Sequence, residues 1–310
     1  MLHASWPRRS PGAAILLWQS LGLASGLAAV GALLSIGVSG PGTPVGVVGG
    51  LTVLAGRLTS GSLLAPRQPV ALTAIRLLTL TAGIGLLSAL CGFLVVALAA
   101  ATGARRRQRE LLALLAHGDP KVPGALVVDY PRAAAYCLPG IHSQIVISVG
   151  TLNLLGPAEL TAVLAHERAH LRARHDLVLL PFTSLRRAFP RSAGVAQAHR
   201  TVALLVEMMA DDHALRVPGL PHLGHGFGRH RESPPCGISA RELATALLRF
   251  GTAGSDCAPA GALSAAEGEL TARVARLLTP PPPLSYTAKA AIVLASMLLV
   301  TVPLLLLVVP

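Results

Sequence analysis

Charged side chains are scarce in this chain, and long stretches contain none. Only 13% of the 310 residues are charged and 52% are hydrophobic, whereas an ordinary soluble domain has about 25% charged residues. Pro11–Gly56, Leu77–Ala104 and Ala290–Pro310 contain no charged residue. Because about 20 apolar residues suffice to cross the hydrocarbon of a bilayer, the sequence predicts membrane spans near 13–38, 71–100 and 288–309. The first of these is too long for a cleaved signal peptide.

Cysteine and lysine are also rare. The four cysteines show no Cys-x-x-Cys spacing, so no disulfide framework is expected. Lysine occurs only at Lys121 and Lys289, and the net charge of +12 is therefore almost entirely due to arginine. The arginines flank the predicted spans, as in the pairs and clusters at 8–9 and 105–109. This is the pattern of the positive-inside rule, and we do not expect a nucleic-acid partner.

The same rule predicts the orientation and the domain organisation. We expect the N-terminus in the cytoplasm, residues 39–70 outside, residues 104–285 inside and the last few residues outside. Arg57 and Arg67 oppose this orientation, but the cluster at 105–109 outnumbers them. The chain is thus predicted to be a multi-pass protein of the cell membrane. It would have an N-terminal membrane region, 1–103, a cytoplasmic domain, 104–285, and a C-terminal span, 286–310.

The pattern between the spans predicts a mainly α-helical domain with a small β-sheet. Short β-branched runs at 124–130 and 144–149, bounded by Gly and Pro, indicate strands. Residues 105–117 should extend the second span as a juxtamembrane helix. Apolar periodicity with Pro and Gly boundaries predicts further helices at about 157–174, 176–188, 195–216, 241–249 and 265–278.

One pentapeptide carries the chemistry. Residues 166–170 read HERAH, which places His166 and His170 on the same side of a helix, where both can bind one zinc ion. With 11 histidines in 310 residues and the glutamate content of this chain, the motif is expected by chance roughly 0.01 times. We therefore prefer a zinc site, one ion per chain, to two incidental polar residues.

Two neutral imidazoles leave a hydrolytic zinc site one protein ligand short. Glu207 is the better candidate, because an ionised carboxylate in an apolar helix is costly to bury unless a metal or a cation neutralises it. Asp176 is the alternative. Asp211, one turn beyond Glu207, is placed to accept the free ring N–H of a zinc-binding histidine, and Asp176 is a second candidate for such a role. Glu167 is then the predicted catalytic base, which takes a proton from the attacking water and passes it to the leaving amine.

The sequence leaves the roles of two further segments open. The strand at 144–149 could offer a free edge to a substrate peptide, which would make Ile145, Val146 and Ile147 substrate-binding, or it could be core only. The Gly/Pro-rich loop at 218–238 contains three histidines and a cysteine, whose spacing fits no closed zinc geometry, so a loop is preferred to a second metal site. These residues are His222, His225, His230 and Cys236.

The segments IVISVG (145–150), LTAVLAHERAH (160–170), RHD (174–176) and EMMAD (207–211) together resemble the BlaR/MecR-type family of membrane zinc metallopeptidases. The resemblance covers roughly 105–310 and extends, less specifically, to HtpX-like membrane proteases. It implies a zincin-like endopeptidase domain facing the cytoplasm, with His166, His170 and Glu207 as zinc ligands and Glu167 as catalytic acid/base.

The resemblance also implies a substrate. In sensor members of the family, a signal received outside activates cleavage of a cytoplasmic transcriptional repressor. No external penicillin-binding domain fits in residues 39–70, so we do not expect β-lactam sensing. An antirepressor protease, HtpX-like quality control of membrane proteins, and a catalytically silent zinc-binding scaffold or signal relay are the three functions to be distinguished.

Overall fold

The computed structural model of the chain describes residues 6–39, 46–59, 69–120, 122–140, 143–216, 238–254 and 260–308. The candidate second metal site in the loop at 218–238 lies outside these residues. The described part is mainly α-helical with one small sheet, as predicted. It forms two compact units, Met1–Gly12 with Ala97–Pro283 and Ala13–Val96 with Leu284–Pro310, which are described separately below.

Three helices are long and apolar enough to cross a membrane, and each coincides with one of the three predicted spans. They cover Pro11–Val38, Val70–Leu115 and Tyr286–Leu307. The predicted juxtamembrane extension is also present, because the second of these helices continues to Leu115. Helix α3 was not predicted, since it lies in the segment assigned to the external loop. The helices of this part of the chain are α1 (Trp6–Arg9), α2 (Pro11–Ser39), α3 (Val47–Thr59), α4 (Val70–Leu115) and α11 (Tyr286–Val308).

Small residues allow close approach between helices of the membrane unit. A Cβ atom at Gly37 of α2 would lie 2.8 Å from the backbone N and Cα of Leu80 in α4. Similarly, a Cβ at Gly83 of α4 would lie 3.1 Å from Cβ of Leu33 in α2. Because backbone cannot move aside as a flexible side chain can, glycine is required where these two helices cross.

The sheet has four short strands in the order β1-β2-β4-β3. Strand β2 pairs with β4 in parallel, and the other two pairs are antiparallel. Strand β4 therefore has a neighbour on both sides, and Ile145, Val146 and Ile147 are all at most 4% exposed. Of the two alternatives left open for this strand, a core strand agrees with this topology and a free edge does not; β3 is the edge strand beside it. The strands are β1 (Ala116–Gly118), β2 (Ala125–Val128), β3 (Ala135–Leu138) and β4 (Gln144–Ser148).

Six helices follow the sheet in the same unit, which also contains α1 and the end of α4 from Ala97, and α6 is central among the six. Leu164 of α6 packs on Ile145 and Ile147 of the sheet. Another side of α6 packs through Ala162 and Ala165 against helices α8 and α9. HERAH thus lies on a helix held between the sheet and a helical layer. The six helices are α5 (Val149–Leu154), α6 (Pro157–Arg172), α7 (His175–Ala188), α8 (Ala193–Arg216), α9 (Ala240–Gly254) and α10 (Ala260–Leu278).

Both ends of α6 have a local cause. At the start, Pro157 occupies the first turn and the Gly156 N–H donates to Oε2 of Glu159 at 2.9 Å. At the end, Arg174 adopts the left-handed conformation, with φ of 49°. This turn stops α6 at Arg172, slightly before the predicted end, and starts α7 at His175.

Candidate metal centre

The three predicted ligands converge. His166 and His170 lie one turn apart on α6, with 3.0 Å between their Nε2 atoms. Glu207 approaches from α8 and places Oε2 3.3 Å from Nε2 of His166 and Oε1 3.6 Å from Nε2 of His170. One ligand atom from each residue lies within 4.8 Å of the others. Two imidazole nitrogens and a carboxylate oxygen are a donor set that suits zinc and leaves a coordination position open.

Asp211 lies behind His166, where the sequence placed it. Its Oδ1 is 3.0 Å from Nδ1 of His166, and its side chain is only 1% exposed. A metal-binding histidine usually presents its other ring nitrogen to such a carboxylate, which fixes the orientation of the ring. The arrangement turns Nε2 of His166 towards Glu207 and His170.

His175 has the corresponding place behind His170, and sequence reasoning missed it. The Nδ1 atoms of the two rings are 2.9 Å apart, and His175 is 2% exposed. Burial and the neighbouring His170 lower the pKa of His175 to about 4, so at neutral pH it is uncharged and can accept a hydrogen bond. The signals in the sequence are that His175 comes just after α6 and belongs to the RHD segment (174–176) of the family resemblance, but its contact with His170 depends on the left-handed turn at Arg174.

Arg273 of α10 was also missed. Its Nε and Nη2 donate to the two carboxylate oxygens of Asp211 at 2.9 and 2.7 Å. Its Nη1 lies 2.9 Å from Oε2 of Glu207. One planar guanidinium thus contacts both acidic residues of the centre. Nothing near it in the sequence distinguishes Arg273 from the other arginines.

The charges of the centre compensate each other. Burial by itself lowers the pKa of His166, but the carboxylates of Asp211 and Glu207 outweigh burial and raise it to about 9. Burial raises the pKa of Glu207 and of Asp211, yet the adjacent histidines and Arg273 hold both below their usual range. The two carboxylates are therefore ionised, although Asp211 is buried and the side chain of Glu207 is only 36% exposed, an arrangement that fits a bound cation.

Glu167 is half-buried beside the edge strand β3. The thiol of Cys137 in β3 lies close enough to Glu167 for this carboxylate to affect the pKa of the thiol. Burial, and then the charge of Glu167, raise the pKa of Cys137 to about 12, so the thiol stays protonated. Glu167 is not one of the three converging ligands, which leaves its carboxylate available for proton transfer.

Asp176, the alternative ligand, does not join the centre. Its Oδ2 accepts from Nη2 of Arg105 at 2.9 Å, and Nε of Arg174 lies 3.5 Å from its Oδ1. It stands at the beginning of α7, just after the left-handed turn. The turn that brings His175 to His170 leaves Asp176 facing Arg105 of α4. These contacts correct the expectation that Asp176 is a zinc ligand or a neighbour of one.

Two histidines one helical turn apart, an intervening glutamate and a carboxylate from a second helix are the arrangement of a metallopeptidase site. Residues 99–232 match the model of Peptidase family M48, and this match supports a metallopeptidase. The matched segment is less than half of the chain. It contains Glu167 and the three converging residues, and it ends before α10. No curated protein and no solved structure matches the chain.

Proposed function

We propose that this chain is an integral membrane, zinc-dependent endopeptidase that cleaves a cytoplasmic or membrane protein. The convergence of His166, His170 and Glu207 next to Glu167 carries this proposal. The donor set favours zinc, because imidazole nitrogen with a single carboxylate suits this ion better than the all-oxygen sites of magnesium or calcium.

The residues of the chain have separate tasks in this mechanism. Zinc, when bound, supplies a Lewis acid that polarises the scissile carbonyl and acidifies water. Glu167 takes the proton of the attacking water and then delivers it to the leaving amine. Asp211 and His175 hold the imidazoles of His166 and His170 so that each presents Nε2 to the metal.

The edge strand β3 supports a polypeptide as substrate. Its neighbour in the sheet is β4, and its other edge has no strand partner in the described part of the chain. Cys137 of β3 lies near Glu167, whose charge raises the pKa of the thiol, so the strand passes close to the proposed base. An extended peptide added to β3 by main-chain hydrogen bonds would run past that base as well. We therefore assign the proposed peptide-binding edge to β3 instead of β4.

The proposed base is tested by Glu167→Gln in the full chain, with Glu159→Gln of the same helix as the matched control. Because the amide cannot take a proton, Glu167→Gln should lower peptide-bond hydrolysis by roughly 10²- to 10⁴-fold. Zinc content should stay near that of the wild type, since Glu167 is not a ligand. Glu159→Gln should keep both properties, because its place is at the start of α6.

Full activity of Glu167→Gln would refute the assigned mechanism, and loss of zinc would show that Glu167 is a ligand. A wild-type chain that binds zinc and cleaves nothing would favour the scaffold or signal relay. A transcriptional repressor and damaged membrane proteins are the two substrate classes that the resemblance suggests. Comparison of protein N-termini in wild-type and Glu167→Gln cells distinguishes them, because only true substrates lose a cleavage-derived N-terminus.

A further inference from the structure

Helix α10 carries two arginines, one turn apart, that pair with two consecutive acids of α8. Arg273 binds Asp211 through two hydrogen bonds of 2.9 and 2.7 Å. Arg276 binds Asp212 in the same way, through two hydrogen bonds of 2.7 and 2.8 Å. Both arginine side chains are 12% exposed. The two pairs are thus alike in helix, hydrogen-bond geometry and burial of the arginine, although the side chain of Asp211 is 1% exposed and that of Asp212 is 25% exposed.

The Arg273–Asp211 and Arg276–Asp212 pairs differ in the further contacts that their side chains make. Asp211 faces Nδ1 of His166, and the third nitrogen of Arg273 lies 2.9 Å from Oε2 of Glu207. The remaining contacts of Arg276 are backbone carbonyls, Arg8 O at 2.7 Å and Met208 O at 3.5 Å. Only the Arg273 pair therefore touches the candidate metal centre.

We propose that Arg273 is a positioning residue of the metal centre, which fixes the side chains of Glu207 and Asp211 and through them the ligand atoms of Glu207 and His166. The inference rests on the proposed zinc site. A glutamate side chain has three rotatable bonds and an aspartate two, and a guanidinium is a rigid fork that restricts both at once. An ammonium group supplies the charge without the fork.

The positive charge of Arg273 by itself would have the opposite effect on zinc binding from a positioning role. The direction in which zinc affinity changes on substitution therefore distinguishes the two effects. A positive charge 2.9 Å from a ligand oxygen repels a bound cation. If charge alone mattered, removing Arg273 would tighten zinc binding. If Arg273 positions the ligands, removing it leaves Asp211 and Glu207 without their partner, and zinc binding weakens.

With this role for Arg273, the metal centre extends beyond the segment that matches the metallopeptidase family. Residues 99–232 match the metallopeptidase family, and α10 begins at Ala260. With Arg273 in place, the centre includes a residue well outside the matched segment. The matched segment, 99–232, contains all three ligands but would then lack a residue that orients them.

The test compares Arg273→Ala, Arg273→Lys and Arg276→Ala in the full-length chain in detergent. Zinc affinity is measured by competition with a chelator, the visible spectrum is recorded with cobalt as the metal, and thermal unfolding is measured without metal. Both alanine variants should lose stability, because each breaks a two-hydrogen-bond pair, and Arg273→Ala should lose more, since Asp211 is 1% exposed and Asp212 is 25% exposed. Only Arg273→Ala should weaken zinc binding, by roughly 10- to 100-fold, and shift the cobalt spectrum. Arg273→Lys should lie between it and the wild type.

The proposal is overturned if Arg273→Ala binds zinc as tightly as the wild type, or more tightly, and has an unchanged cobalt spectrum. It is also overturned if Arg276→Ala weakens zinc binding as much as Arg273→Ala does. If Arg273→Ala does not fold, Arg273→Lys decides, because zinc affinity equal to that of the wild type would show that the fork is unnecessary. A wild-type chain that binds no zinc would refute both this proposal and the proposed function. A wild-type chain that binds zinc without cleaving peptides would refute only the function.

Discussion

At the scale of single residues, the centre combines what helical spacing dictates with what only folding brings together. His166, Glu167 and His170 could be found because residues four apart share a face of a helix. The same rule related Asp211 to Glu207. His175 and Arg273 could not be found in this way, because one depends on a left-handed turn and the other on the packing of α10 against α8.

His175→Phe tests the contact behind His170. Phenylalanine keeps a ring of similar size in a site that is 2% exposed, but it offers no nitrogen to His170 Nδ1, which now lies 2.9 Å from its partner. The dissociation constant for zinc should rise by roughly 10- to 100-fold while cooperative unfolding is retained.

His199→Phe is the control for this substitution. His199 faces Thr183 at 3.3 Å and does not touch the centre, so its replacement should leave zinc affinity unchanged. Wild-type zinc affinity in His175→Phe would mean that His170 needs no partner on its other nitrogen.

At the scale of elements, helix boundaries followed from the sequence better than strand positions. Apolar periodicity with Pro and Gly punctuation located all the long helices of the domain to within a few residues. Strands β1 and β3 were missed because, unlike the equally short β2, they contain no β-branched residue. The place of β4 inside the sheet depends on strand pairing across the chain, so its apolar run could not distinguish an edge from a centre.

The turn between α6 and α7 makes a prediction of its own. Arg174 has φ of 49°, a conformation that costs a non-glycine residue about 1 kcal/mol. Arg174→Gly should therefore raise the free energy of unfolding by up to about 1 kcal/mol. Arg172→Gly removes the same charge two residues earlier, within α6, and should lower it by about 0.5–1 kcal/mol.

Denaturant unfolding of both variants measures the difference. The opposite signs are the essential point, since the loss of one positive charge is common to the two substitutions, and Arg174→Gly gains stability only in spite of losing the 3.5 Å contact of Arg174 with Asp176. Equal destabilisation by both glycines would show that the left-handed residue contributes no strain.

At the scale of the whole molecule, the distribution of arginine is the basis for an orientation in the membrane. Three helices can span a bilayer, and the cluster at 105–109 follows the apolar part of the second one. Positive residues next to a span favour the cytoplasmic side. We therefore predict that the unit with the metal centre faces the cytoplasm.

Alkaline phosphatase fusions test this orientation, because the enzyme is active only after export. A fusion after Gly118, just beyond α4, should be inactive. A fusion after Thr59, in the segment between the first two candidate spans, should be active. The reverse pattern would place the peptidase unit outside and would exclude a cytoplasmic repressor as its substrate.

The arginine on α10 has a consequence for the order of synthesis. A ribosome completes α6 and α8, with all three candidate ligands, before it reaches Arg273. On the role assigned to Arg273, a nascent chain can collect its ligands yet lacks the residue that sets their geometry. Full hydrolytic competence would then arrive only when most of the protein has left the ribosome. A nascent chain would therefore hydrolyse peptides poorly until α10 has been synthesised.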